Sequence, residues 1–211
     1  GKHHSRLPFG GVHTRLGAIP ALVHASPVDV AIIGLGSGDT AWAALSRSET
    51  RSLTVFEIAG PQRALLTRIA ERDGLPELRS LLRDPRLTVR LDDGRHALAR
   101  GAERYDVIEA DALWPYAAYS GNLYSVEFFQ ECAGRLKPGG LMCTWAPTSR
   151  VVASFRVAFP HVARPGTRAR QPADHAHAGR EAVVQAQHPL DVEREGVARE
   201  QHDLGAARSG G

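Results

Sequence analysis

The chain has 211 residues, 43% of them hydrophobic, with 26 basic and 23 acidic side chains and a formal charge of +3. That length suffices for one domain with a full core, and no window reaches the ~18 uninterrupted apolar residues of a membrane helix, so a spanning segment within this chain is not expected. The basic residues are almost all arginine and are interleaved with acids rather than gathered in a stripe, which argues against nucleic acid as a partner.

In chain order, the opening GKHHSRLPFGG has neither an initiating Met nor an apolar signal core. Positions 1–27 are therefore expected to be a lead-in from a longer polypeptide, and His3 and His4 are not expected to bind metal. From 28 to 160 strand and helix signals alternate. Strands are predicted at 28–33, 53–58, 87–91, 105–109 and 141–145, each short and rich in Val, Ile, Leu or aromatic residues, as strands buried on both faces should be. Helices are predicted at 40–47, 61–72, 76–83, 95–100, 125–136 and 149–159, and LKPGG, a helix-ending Pro and Gly pair, introduces the last strand. The alternation predicts an α/β fold with a doubly wound, mostly parallel sheet, its ligand crevice at the carboxyl ends of the strands. Cys132 and Cys143 form no CxxC pair and read as two reduced, buried thiols. After 160 the aromatic residues, Ile, Met and Lys disappear; positions 161–211 are expected to be a disordered or non-native tail.

The first strand runs into GLGSGDT, with Gly34, Gly36 and Gly38 on alternate positions around Ser37 and Asp39 next. A GxGxxG dinucleotide fingerprint would need its third glycine at position 39. Small residues still let the backbone approach a ligand, while a carboxylate beside the loop repels a pyrophosphate and suits a cationic ligand of the S-adenosylmethionine type. The second strand ends in Glu57, about 20 residues beyond the glycines, the distance at which an acid reaches a ribose diol. The third ends in RLDDGR, where Asp93 can accept from an adenine amine, and the fourth in YDVIEAD, where Asp111 stands at the crevice mouth. Each acid alone could be a turn residue or a helix cap; four successive strands ending in a glycine loop or an acid point to a ligand site.

These segments, VAIIGLGSGDT, VFEI, DDGR, YDVIEAD and LYSVEFFQECAGRLKPGG, resemble the spermidine synthase family of polyamine aminopropyltransferases, especially bacterial spermidine synthase-like domains, some of them fused to transporter-like membrane segments. The resemblance covers about residues 8–160. It implies a class I S-adenosylmethionine methyltransferase-like (Rossmann-like) fold and a transferase, without a permanently bound cofactor or a metal, that moves an aminopropyl group from the co-substrate decarboxylated S-adenosylmethionine to a polyamine such as putrescine. It implies a cytoplasmic domain, with room for a membrane-tethered parent protein, and is compatible with a homodimer. By the same resemblance Glu57 binds ribose, Asp93 binds adenine, Asp111 is the catalytic acid of the crevice, and the segment 112–125, with Tyr119, Asn122 and Tyr124, is a mobile loop over the substrate.

The chain also departs from the family pattern. Ser37 stands where synthases commonly carry an acid in the glycine loop, Ala59 replaces a second acid after the ribose Glu, and Trp114 replaces a second loop Asp. Each missing carboxylate removes an anchor for an amine. The usual N-terminal β-hairpin is not recognisable, and the C-terminal strands are expected to be missing. Two other readings therefore stand beside aminopropyl transfer: an S-adenosylmethionine-dependent methyltransferase on the same sheet, and a catalytically inactive nucleoside-binding fragment.

Overall fold

The structure, a computed structural model, describes residues 7–110, 120–163 and 181–185. Five strands alternate with helices from the first strand onward: β1 (Asp29–Ile33), β2 (Ser52–Glu57), β3 (Leu87–Leu91), β4 (Tyr105–Ala110) and β5 (Leu136–Trp145). All pair in parallel, in the order β3-β2-β1-β4-β5, so the chain winds outward from β1 to one edge and then returns to build the other. That reversal between β1 and β4 is where a doubly wound sheet opens its crevice.

The central strands are buried on both faces because helices cover both. One face packs against α2 (Asp39–Ala44), α3 (Gln62–Arg72) and α4 (Pro76–Arg83) through Ala41, Leu66, Leu78 and Leu81. The other packs against α5 (Gly94–Arg100), α6 (Val126–Arg135) and α7 (Ser149–Ala158). There the fully buried rings of Phe128, Phe129, Phe155 and Phe159 form a run, with centroids 5.8, 4.9 and 4.7 Å apart in sequence; each such pair contributes about 0.5–1.5 kcal/mol beyond its burial. Cys132 and Cys143 are buried and form no disulfide among the described residues, and burial pushes the Cys132 thiol well up.

At the amino ends of the strands, opposite the crevice, Lys137 bridges two carboxylates. Its Nζ donates to Asp29 and, at 2.9 Å, to Asp106, while Asp106 also accepts the Asp29 N–H at 2.7 Å and Ser52 donates to Asp29 at 2.9 Å. Burial pushes the Asp29 carboxyl up, but the Lys137 and Ser52 hydrogen bonds and the Lys137 charge outweigh it and leave the group below its ordinary value. Burial pulls Lys137 down, and its two carboxylate partners reverse that and hold it raised. This cluster ties β1, β4 and β5 together at the amino ends of the strands.

Three features differ from the sequence reading. The lead-in holds a helix, α1 (Val12–Val23), which crosses α2 so closely that a Cβ on Gly17 would lie 2.1 Å from the Thr40 carbonyl oxygen. Pro20 sits near the carboxyl end of α1, where His24 N–H still finds the Pro20 carbonyl. Second, LKPGG ends α6 as expected yet is already the first half of β5, with a register shift that pairs Leu136 with Tyr105 and Leu141 with Val107. Third, beyond position 160 the structure places β6 (His161–Ala163) and β7 (Glu181–Gln185), with β7 parallel to β5 and β6 parallel to β7. Val183 and Val184 are the only adjacent β-branched pair in that stretch, a local strand signal submerged in the composition of the whole tail. Among the described residues no helix is long and apolar enough to cross a membrane.

Candidate functional site

The glycine loop leaves β1 and enters α2 with Gly34, Gly36 and Gly38 all in the left-handed half of backbone space. Gly38 has a steric reason as well. At φ +88° its missing Cβ would lie 2.6 Å from Leu81 Cδ2 and 3.7 Å from the Phe9 ring, so α4 and the lead-in close directly on the backbone. The loop returns on itself through Gly38 N–H to the Leu35 carbonyl, 2.8 Å.

Glu57, the last residue of β2, reaches across to this loop. One carboxylate oxygen accepts the Leu35 N–H at 2.8 Å and the other accepts the Ala59 N–H at 2.7 Å. A carboxylate offers about four lone-pair sites; two backbone bonds fix its orientation and leave capacity for two further donors, as a vicinal diol would supply. The replacement at Ala59 therefore removes a side-chain acid while its N–H still serves the Glu57 carboxylate.

Asp93 lies one strand further along, exposed, as the N-cap of α5, accepting the His96 N–H at 3.0 Å. Both the ligand reading and the cap reading of this residue describe the same position, because the cap engages one oxygen. Gly94, next to it, lets α5 sit tightly on the sheet: a Cβ there would meet Ile33 Cδ1 at 2.6 Å and Cγ2 at 2.8 Å. Between Glu57 and Asp93 stand two exposed apolar side chains, Ile58 at 73% and Leu91 at 70%, with Leu91 in register beside Glu57. Two carboxylates and an apolar surface thus share the edge at which β1, β2 and β3 end.

Asp39 is placed otherwise than the sequence reading expected. It is only 1% exposed, and its two oxygens accept the Thr14 hydroxyl at 2.6 Å and the Gly10 N–H at 3.2 Å. These two bonds hold the lead-in against the loop. Ser37 is buried at 8% exposure, and among the described residues its Oγ has no hydrogen-bond partner.

In the substrate segment, Asp111 and Tyr119 lie outside the described residues, as does Trp114. Asn122 falls in a 3-10 turn, Ser120–Tyr124, and its carbonyl accepts from Arg95 Nη1 at 3.0 Å; Arg95 in turn pairs with Glu131 at 3.3 Å. Tyr124 is a core residue at 5% exposure, packed with Phe128 and Phe129, not an exposed loop side chain. Sequence reasoning passed over Gln62, whose Nε2 donates to the Gly36 carbonyl; the available signal was a polar residue in the first turn of the helix that follows the Glu57 strand.

The family model for the spermine/spermidine synthase domain matches residues 10–154, more than half of the chain. The chain is 30% identical over 129 residues to the polyamine aminopropyltransferase of Thermotoga petrophila, covering 61% of this chain and 42% of that protein. It is 34% identical over 137 residues to the polyamine aminopropyltransferase of Pyrobaculum islandicum, covering 62% and 45%. In three dimensions it is similar to a crystal structure of spermidine synthase in complex with the transition-state analogue AdoDATO, with a TM-score of 0.61 and 25% identity over 70% of this chain and 52% of the other. The chain spans less than half the length of these two relatives and about half of that structure. With the family model matched over residues 10–154 and a parallel α/β sheet, the chain belongs to the spermine/spermidine synthase family.

Proposed function

We propose that this domain binds an adenosine-type sulfonium co-substrate at the carboxyl edge of β1, β2 and β3 and transfers an aminopropyl group from it to a polyamine. The observation that carries the reading is the Glu57 carboxylate, oriented by the Leu35 and Ala59 N–H groups and joined through the Leu35 N–H to the glycine loop. In this reading the two remaining acceptor sites of Glu57 take the ribose hydroxyls, the free oxygen of Asp93 takes the adenine amine, and the base lies along Ile58 and Leu91. Gly34, Gly36, Ser37 and Gly38 let the loop backbone come close to the nucleoside. The co-substrate is decarboxylated S-adenosylmethionine and the acceptor a diamine such as putrescine, by analogy with the family.

The reaction is an in-line displacement. The acceptor nitrogen forms a bond to the carbon next to the sulfonium, the carbon–sulfur bond breaks, and its electron pair leaves with sulfur as the neutral thioether methylthioadenosine. An alkylamine with a pKa of about 10 arrives protonated and must lose one proton before attack; the secondary ammonium that the displacement forms keeps its own protons. Asp111, one residue beyond β4, is assigned that acceptor role, and positioning of the two reactants supplies much of the remaining acceleration. Incubation with putrescine and decarboxylated S-adenosylmethionine should release methylthioadenosine and the aminopropylated amine in equal amounts. Asp111→Asn should lower turnover far more than it weakens methylthioadenosine binding; equal losses would make Asp111 a binding residue only.

A further inference from the structure

The glycine loop is gripped from the β2–α3 turn by two hydrogen bonds of opposite sense. Glu57 accepts from Leu35 N–H, and Gln62, the first residue of α3, donates from Nε2 to the Gly36 carbonyl. Gln62 is itself fixed, since its backbone N–H donates to the Ala59 carbonyl at 3.0 Å and Ala59 N–H is held by Glu57. The Gly36 carbonyl belongs to the peptide group that carries the Ser37 N–H. That peptide is trans, so its C=O and N–H point in opposite directions, and a carbonyl held toward α3 sends the Ser37 N–H away from α3. Among the described residues this N–H has no backbone acceptor, and the buried Ser37 Oγ has no hydrogen-bond partner. Two donors on one residue are thus left unmatched among the described residues, and Gln62 sets the plane of one of them. Without that bond the peptide is free to rotate, because Gly36, at φ +52°, carries no Cβ to oppose it.

We infer that Gln62 is a positioning residue of the nucleoside site, holding the Gly36–Ser37 peptide so that Ser37 donates to a ribose oxygen; the inference rests on the nucleoside reading above. Gln62→Leu keeps the side-chain size and removes the donor. It should weaken binding of methylthioadenosine, measured by calorimetry, about three- to tenfold and shift or broaden the Ser37 amide resonance of the unliganded protein. Gln62→Lys restores a donor and should bring both readouts most of the way back, the probe being uncharged. An unmoved Ser37 resonance in Gln62→Leu, or a lowered melting temperature with unchanged affinity, would overturn the inference and leave Gln62 a structural residue. If the unmodified protein fails to bind methylthioadenosine, the nucleoside reading falls and the ribose role of Ser37 with it. The unliganded Ser37 resonance would then still show whether Gln62 holds the peptide.

Discussion

Glu57→Gln separates the two jobs assigned to one carboxylate. In the structure its oxygens accept backbone N–H bonds of 2.8 and 2.7 Å. Glutamine keeps one acceptor oxygen and turns an NH2 toward the other N–H, so one of these bonds becomes a donor–donor contact. Bonds to a charged acceptor contribute roughly 1.5–3 kcal/mol when buried; Glu57 is partly exposed, so about 1–2 kcal/mol of folding stability is expected to be lost. For a chain of this size that lowers the melting temperature by about 2–8 °C. The bound ribose would lose a charge-assisted bond as well, which weakens methylthioadenosine by about 1–3 kcal/mol, or roughly 5- to 150-fold. Scanning calorimetry reads the first effect, and titration calorimetry well below both melting temperatures reads the second. A dissociation constant within about twofold of the unmodified protein, alongside a lowered melting temperature, would refute the ribose assignment and leave Glu57 as a brace for the loop. An unchanged melting temperature would refute the brace.

Asp93→Asn retains an N-cap, since asparagine caps as well as aspartate; it should leave thermal stability unchanged while weakening methylthioadenosine several-fold, and Asp93→Ala should also cost about 1 kcal/mol of stability. Gly94→Ala places a Cβ 2.6 Å from Ile33 Cδ1, an overpacking cost of about 1–3 kcal/mol, measurable by urea unfolding; adding Ile33→Val removes that methyl and should recover part of it, and a fully stable single variant would contradict the close packing. The Lys137 cluster sets a pH window. Asp29, held below its ordinary value of 3.8, contributes stability that is present above that pH and is lost as pH falls through its folded value. Lys137, held above 10.5, contributes stability that is present below that pH and is lost as pH rises through its folded value. Lys137→Met should therefore lower stability by about 1 kcal/mol across the neutral range, a small figure because Lys137 and Asp29 are about a third exposed. It should also flatten the acid and alkaline flanks of the stability curve; unchanged flanks would contradict the assignment.

The sheet was legible in the sequence because its strands are short apolar runs, the first four closed by a glycine or an acid, and period and composition suffice to find them. The edge grouping of the glycine loop, Glu57 and Asp93 followed from topology once the strands were ordered. What the sequence hid was side-chain allegiance. Asp39 reads as a loop carboxylate, but its neighbours in space are Gly10 and Thr14, more than twenty residues away. Tyr124 reads as a loop residue because it follows Gly121 and Asn122, yet its ring belongs to the phenylalanine core. The helix α1 carries a proline, Pro20, and no acid in its first turn, so the usual start signal is missing, and no pattern links the Gln62 side chain to a carbonyl 26 residues earlier.

The most direct measurement is a crystal structure of the protein soaked with methylthioadenosine. The account predicts both ribose hydroxyls within hydrogen-bond distance of Glu57, the adenine amine on Asp93, and the base lying over Ile58 and Leu91. A nucleoside bound elsewhere, or bound here with Glu57 and Asp93 turned from the sugar and base, would contradict it.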